Sequence, residues 1–346
     1  MKKGLLLVGT LVCAAAVAIA FAGVSSAKTE RSGAGSLTGA GSSFVFPLVS
    51  KWIPALGSAY GIQVNYSPVG SGAGIAAITA RTVDFGASDA PLSSDQFNAC
   101  NGCVQIPWAL SATSIIYNVP GAPAGLKLTP AVIAQIWLGT ITKWSSPAIR
   151  KLNPGASLPD LKITPAYRSD NSGTTYNFSD YLSSVSSQWK SQYGTGVAVN
   201  WPNGTGARGS AGVASTVSQT PGGIGYVDVA YALKNHLKFF SMKNRSGKYA
   251  TPGLKGILAA ASSDQKPDAT NALSIVNPPK KFALAYPIST YTYVIVPTSS
   301  QKAPELRKFL FWAVTKGQTY GPRLLFQPIP KSVLVVAEKT ISKIKS

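Results

Sequence analysis

From Ser36 to Asp89 the chain repeats one pattern: an apolar or alternating run, a loop of glycines and hydroxyls, then apolar residues at helical spacing. The first unit passes from Leu37 through Gly39-Ala-Gly-Ser-Ser43 to Phe46, Val49, Trp52, Ile53 and Leu56, then to alternating Ile62, Val64 and Tyr66. Val69-Gly-Ser-Gly-Ala-Gly74 precedes a short helix carrying Ile75 and Ile78, and Val83-Asp-Phe-Gly-Ala-Ser-Asp89 reads as a strand ending in a polar loop. Strands that alternate with helices are joined by crossovers, so the pattern predicts a largely parallel α/β architecture. The rest of the chain continues it. Strands are predicted over 112–119, 222–229 and 285–296, and helices over 128–138, 188–193 and 305–315. Residues 247–279, rich in Gly, Pro, Ser and Ala, predict mostly loop.

At 346 residues the chain has room for two domains, and 45% hydrophobic content against 13% charged residues marks it as globular. Its net charge of +20 reflects a scarcity of acids, 12 in all. Of the 32 Lys+Arg, 18 lie from Lys234 onward, against four acids there. Such a surface suits nucleic acid, an anionic envelope or the steering of small anions. The lysines are scattered and accompany no zinc, helix-turn-helix or aromatic RNA-binding pattern, which argues against nucleic acid.

Lys2 and Lys3, the apolar run from Leu5 to Val24, and Ser25-Ser26-Ala27 read as an export signal over residues 1–27. The run is long enough to span a bilayer, so retention as an anchor stays open beside cleavage. Cys13 lies inside it. Cys100-Asn-Gly-Cys103 folds back through a strong turn dipeptide; in an exported chain it reads as a small structural disulfide, with a redox pair as the alternative.

Arg168-Ser-Asp-Asn-Ser-Gly-Thr174 follows an apolar run over 161–166 and precedes Tyr176, Phe178, Tyr181 and Leu182 at helical spacing. A strand, a turn and a helix start result, with two hydroxyls and free N–H groups at an end that favours a tetrahedral oxyanion. Arg168 adds a planar fork of donors, and Asp170 is placed to hold that guanidinium. Other chemistries find little support. Gly204-Thr-Gly-Ala-Arg-Gly209 matches the dinucleotide fingerprint and Asp228 stands where its ribose acid would, but Pro202-Asn-Gly turns the approach; a glycine loop at a helix start is the better reading. No Gly-x-Ser-x-Gly elbow occurs, and the lone histidine, His236, sits in a basic stretch. Acids are too sparse for a glycosidase pair, and no metal cluster or catalytic set is recognised. What remains are hydroxyl and glycine loops at strand ends: Gly41-Ser-Ser-Phe44, Gly70-Ser-Gly72, Ser88-Asp89 and Ser172-Gly-Thr174. Open α/β sheets collect ligands at such ends.

Thr38-Gly-Ala-Gly-Ser-Ser-Phe44, Val64-Asn-Tyr, Gly70-Ser-Gly, Val83-Asp-Phe-Gly-Ala-Ser-Asp-Ala-Pro91 and Arg168-x-Asp-x-Ser-Gly-Thr174 resemble the phosphate-binding proteins of the ABC phosphate transporter, the PstS family. Trp137-Leu-Gly-x-Ile-x-Lys-Trp144, Leu152-Asn-Pro-Gly155, Trp201-Pro202 and Gly222-x-Ile-Gly-Tyr-Val227 extend the likeness in the family's order. The resemblance implies a two-lobed α/β clamshell of the type II periplasmic-binding-protein kind, with one lobe from 34–116 plus 286–346 and the other from 117–285. It implies that Ser43, Phe44, Ser71, Arg168, Ser172, Gly173 and Thr174 donate to phosphate, that Asp170 orients Arg168, and that Asp89 accepts the proton phosphate carries. It implies no cofactor, no metal and no catalysis. The expected setting is a monomer outside the cytoplasmic membrane, periplasmic or attached to the envelope, delivering phosphate to membrane permease subunits and a cytoplasmic ATPase. Ser43 stands where threonine is common, Val45-Phe46 replaces the usual proline, and the Cys100–Cys103 loop and the Lys-rich tail after Pro328 have no counterpart.

Overall fold

The computed structural model describes residues 35–346; the predicted export signal and Cys13 lie outside the described residues. The strands are β1 (Ser36–Gly41), β2 (Gln63–Ser67), β3 (Phe85–Ser88), β4 (Cys103–Asn118), β5 (Lys127–Leu128), β6 (Thr164–Arg168), β7 (Thr205–Ala207), β8 (Gly223–Asp228), β9 (Lys238–Phe239), β10 (Ser241–Lys243), β11 (Tyr249–Ala250) and β12 (Ser289–Pro297). Nine form one mixed sheet, in the order β2-β1-β3-β12-β4-β8-β6-β7 with β9 also on β4; β11, β10 and β5 form a small second sheet.

The parallel pairs β1/β2, β1/β3, β6/β8 and β6/β7 realise the predicted α/β scheme. They fall into two halves, which are the two lobes of the fold. β4 serves both: Cys103 to Ala112 pairs antiparallel with β12, and Thr113 to Asn118 pairs antiparallel with β8. Each half has its own aromatic centre. Trp52, Phe85, Trp108 and Phe309 pack at centroid distances of 5.2–6.2 Å in one. Trp137, Phe178, Trp201 and Tyr226 pack at 4.8–6.3 Å in the other. Such pairs add about 0.5–1.5 kcal/mol each beyond area burial.

Four elements differ from the sequence reading. The strand predicted over 112–119 begins at Cys103, where its first part pairs with β12. The strand predicted from 285 begins at Ser289, because Pro287 has no N–H for a ladder and Tyr286 N–H turns to Gly256 O (3.0 Å). The segment 247–279 holds the helix Leu254–Ala261, whose Ile257, Ala260 and Ala261 are buried. The Lys-rich tail forms the helix Lys331–Ile341, burying Val333, Ala337 and Ile341 at i, i+4 and i+8.

Cys100 and Cys103 are joined, with Cα atoms 5.6 Å apart. Their loop is at the surface, but the sulfurs are buried against Ile75, Ile78, Leu92 and Ile295. Arg81 Nη1 donates to both sulfurs (3.3 and 3.1 Å), and Nη2 donates to the carbonyls of Cys100 and Asn101 (3.0 and 2.9 Å). This cluster sits just past the C-terminus of the helix Ser71–Thr79, roughly 12 Å of helix from Ser71. Replacing both cysteines with serine is expected to leave anion affinity within a few-fold, because Arg81 still grips the loop through main-chain carbonyls. A loss above a hundredfold on titration would place the loop in the site.

Candidate functional site

Four loops follow the carboxyl ends of strands and open helices of at least nine residues: Phe46–Tyr60 after β1, Ser71–Thr79 after β2, Gly173–Val185 after β6 and Gly209–Gln219 after β7. Their first turns meet. Each carries unpaired N–H groups and roughly half a positive charge, so together they make a strongly anion-attracting centre.

After β1, Ser42 Oγ donates to Asp89 Oδ1 (2.5 Å), while Ser43 Oγ lies 3.1 Å from Ser210 Oγ and accepts from Ser210 N–H (3.1 Å). Phe44 is fully buried, edge-on to Phe326 at 6.1 Å. Ser71 Oγ accepts from Gly173 N–H (3.0 Å) and Asp89 N–H (3.3 Å), tying loops from both halves together. A Cβ on Gly173 would come within 2.6–2.7 Å of Asp89 N and Ser71 Oγ, so this approach requires glycine.

Arg168, at the end of β6, is 4% exposed. Its Nε and Nη2 donate to the two carboxylate oxygens of Asp170 (2.7 and 2.5 Å), and Asp170 Oδ1 also accepts from Gly209 N–H (3.0 Å). Partial burial pulls the Asp170 carboxyl upward, but hydrogen bonding and charge from Arg168 outweigh it and hold the group below its ordinary range. Ser172 caps its helix, its Oγ accepting from Thr175 N–H (3.2 Å). Thr174 is wholly buried, and its hydroxyl has no hydrogen-bond partner among the described residues. Beside a helix N-terminus, a hydroxyl in that state is available to donate to a ligand.

Asp89 is 2% exposed, at the end of β3. Burial lifts its carboxyl to about 7; the Ser42 hydrogen bond, the Arg168 charge and Ser71 pull the other way without cancelling this. All eight residues expected to bind phosphate, and Asp170, therefore share one neighbourhood. Four further residues belong to it. Ser42 grips Asp89, Gly209 grips Asp170, and Ser210 meets Ser43. Asp228 is fully buried and caps the short helix after β8 through Ala230 and Tyr231 N–H (2.9 and 3.3 Å). Burial, chiefly, and then the charge of Asp89 raise its carboxyl, against the capping N–H bonds and Arg168. Gly204 to Gly209 passes through β7 into a helix, as expected of a glycine loop at a helix start. His236 is exposed, and no group of three His, Cys, Asp or Glu among the described residues is placed to hold a metal. No described helix is long and apolar enough to cross a membrane.

Comparison with known proteins converges on one group. The PBP superfamily domain matches residues 26–316. The phosphate-binding protein PstS of Xylella fastidiosa strain Temecula1 is 40% identical over 303 residues, covering 86% of this chain and 82% of its own. That of Haemophilus influenzae is 38% identical, covering 87% and 91%. A crystal structure of a phosphate-binding protein from Stenotrophomonas maltophilia superposes with a TM-score of 0.69 at 20% identity, covering 88% and 94%, and shares the fold.

Proposed function

Because the chain belongs to the PstS family of phosphate-binding proteins within the PBP superfamily, we propose that it captures inorganic phosphate outside the cytoplasmic membrane and delivers it to an ABC import permease. The lobes are residues 34–116 plus 286–346, and 117–285, and the anion is held in the cleft between them. The observation that carries this reading is a buried cation, Arg168, set near a buried acid, Asp89, among helix N-termini. A dianion such as hydrogen phosphate meets most of its compensation in dipoles, because the charge of Arg168 is already shared with Asp170.

In this reading Ser43 gives its hydroxyl and N–H, Phe44 its N–H and Ser71 its hydroxyl. Arg168 offers Nη1, the terminal nitrogen that Asp170 leaves free. Ser172, Gly173 and Thr174 donate from the helix start, and Asp89 accepts the P–OH proton. Thr174, buried without a partner among the described residues, and Asp89, an acceptor otherwise misplaced in an anion site, both gain a purpose. The protein acts as an exported monomer with no cofactor and no chemical step, and its partners are the permease subunits and their cytoplasmic ATPase. Calorimetry of the mature protein with phosphate, arsenate and sulfate tests it: phosphate binds one to one and far more tightly than sulfate. Turnover of a chromogenic phosphate ester, or absence of phosphate heat, overturns it.

A further inference from the structure

The glycine loop from Gly204 to Gly209 has a role that the phosphate reading alone leaves unassigned. It delivers Gly209 and Ser210, the first two residues of an eleven-residue helix, into the middle of the donor set. Gly209 has φ +69°, a left-handed conformation that costs glycine little, and its N–H reaches Asp170. Ser210 then lies 1% exposed between the two halves of the sheet. Its N–H donates to Ser43 Oγ (3.1 Å), its Oγ meets Ser43 Oγ (3.1 Å), and Arg168 Nη1 points at the same Oγ from 3.5 Å. Ser43 follows β1, Arg168 ends β6, and 167 residues separate Ser43 from Ser210.

Resting on the phosphate reading above, we propose that Ser210 is the latch of the closed cleft and the residue that turns Ser43 into an obligatory donor to the anion. A hydroxyl has one proton and two acceptor positions. Ser210 N–H occupies one acceptor position of Ser43 Oγ. Arg168, a charged donor facing Ser210 Oγ, favours the arrangement in which that oxygen accepts from the guanidinium and passes its own proton to Ser43. Both acceptor positions of Ser43 are then filled, and its only remaining capacity is its proton, aimed at the ligand. One serine thereby bridges the halves and fixes the polarity of a neighbouring donor. Ser210 acts through Ser43 and Arg168, so it is a positioning residue whose influence falls on release more than on capture.

Stopped-flow and calorimetric measurement of phosphate binding to the full mature chain, for the parent, Ser210→Ala, Ser43→Ala and the double variant, tests this. Ser210→Ala removes a single oxygen and is expected to weaken phosphate about three- to thirtyfold. The loss appears as faster release, with the association rate within twofold of the parent. The double variant binds no more weakly than Ser43→Ala alone, because one route has been cut twice. Independent, multiplying losses would overturn the proposal, as would a Ser210→Ala change confined to association or an unchanged affinity. A parent that binds no phosphate would sink the phosphate reading and this inference with it; a parent that binds while Ser210→Ala is silent would sink the latch alone.

Discussion

Arg168→Ala lowers phosphate affinity by about 30- to 1,000-fold, the loss expected when a buried charge-assisted donor worth roughly 2–4 kcal/mol is removed. The structure places the effect toward the upper end. Arg168 is the partner of Asp170, bound through Nε and Nη2, so truncation removes a cation and also leaves a partly buried carboxylate without its countercharge. That carboxylate would then face the anion directly. Asp170→Asn keeps an oxygen for Gly209 N–H and leaves the guanidinium in place, so it costs less. Titration of the two variants with phosphate checks the order. If Asp170→Asn is the more damaging, the roles of ligand donor and supporting carboxylate are reversed.

Above about pH 7, sulfate binding strengthens in Asp89→Asn relative to the parent while phosphate weakens only modestly. Sulfate is fully ionised near neutral pH and has no proton for a carboxylate, whereas hydrogen phosphate brings one. An unpaired buried acceptor facing a like charge discriminates against sulfate, up to the cost of protonating that acceptor. Because burial lifts Asp89 to about 7, the parent carries its own version of the substitution. Below that pH the ligand-free carboxyl holds a proton and can donate to a sulfate oxygen; above it, each pH unit removes about tenfold of the competent form. Sulfate affinity of the parent should therefore fall about tenfold per unit above pH 7 and level off below, while Asp89→Asn shows no such slope. A flat parent profile, or a variant that still excludes sulfate, assigns the selectivity elsewhere. The same group affects stability. Its folded value lies above the ordinary 3.8, so its contribution is full below about pH 4 and is lost as pH rises through about 7. Asp228 is shifted in the same direction.

The units that were legible in the sequence are those whose signal is local. A β-period run, a hydroxyl-glycine loop and a helical stripe lie within thirty residues of one another between Leu37 and Tyr66, and the structure reproduces that order. The capping serine before Gly173 and the charge pair two residues apart, Arg168 and Asp170, were readable for the same reason. Contacts across long spans were not. Ser42 and Ser43 are chemically identical neighbours, yet one reaches Asp89 across 47 residues and the other Ser210 across 167. Which serine turns which way depends on how β1 meets β3, a matter of register. Gly209 closes a glycine motif and Ser210 follows it, and nothing local to either marks a contact with Asp170 or Ser43. Asp228 stands in sequence where the ribose acid of that motif would, whereas its place beside Asp89 depends on the fold. In the tail, Val333, Ala337 and Ile341 carry a helical stripe that the surrounding lysines dilute.

β4 acts as a gauge for the whole molecule. One strand of 16 residues sets the position of both halves, through β12 along its first part, with a one-residue register shift at Trp108, and through β8 along its second. A single residue inserted between the two sets of partners, and not taken up as a bulge, would slide one half past the other by about 3.3 Å and invert the faces of everything beyond it. Anion coordination tolerates errors of about half an ångström. Loops away from the site can therefore vary in length with little consequence, whereas the length of β4 between its two sets of partners is fixed by the spacing of the loops that meet at the site.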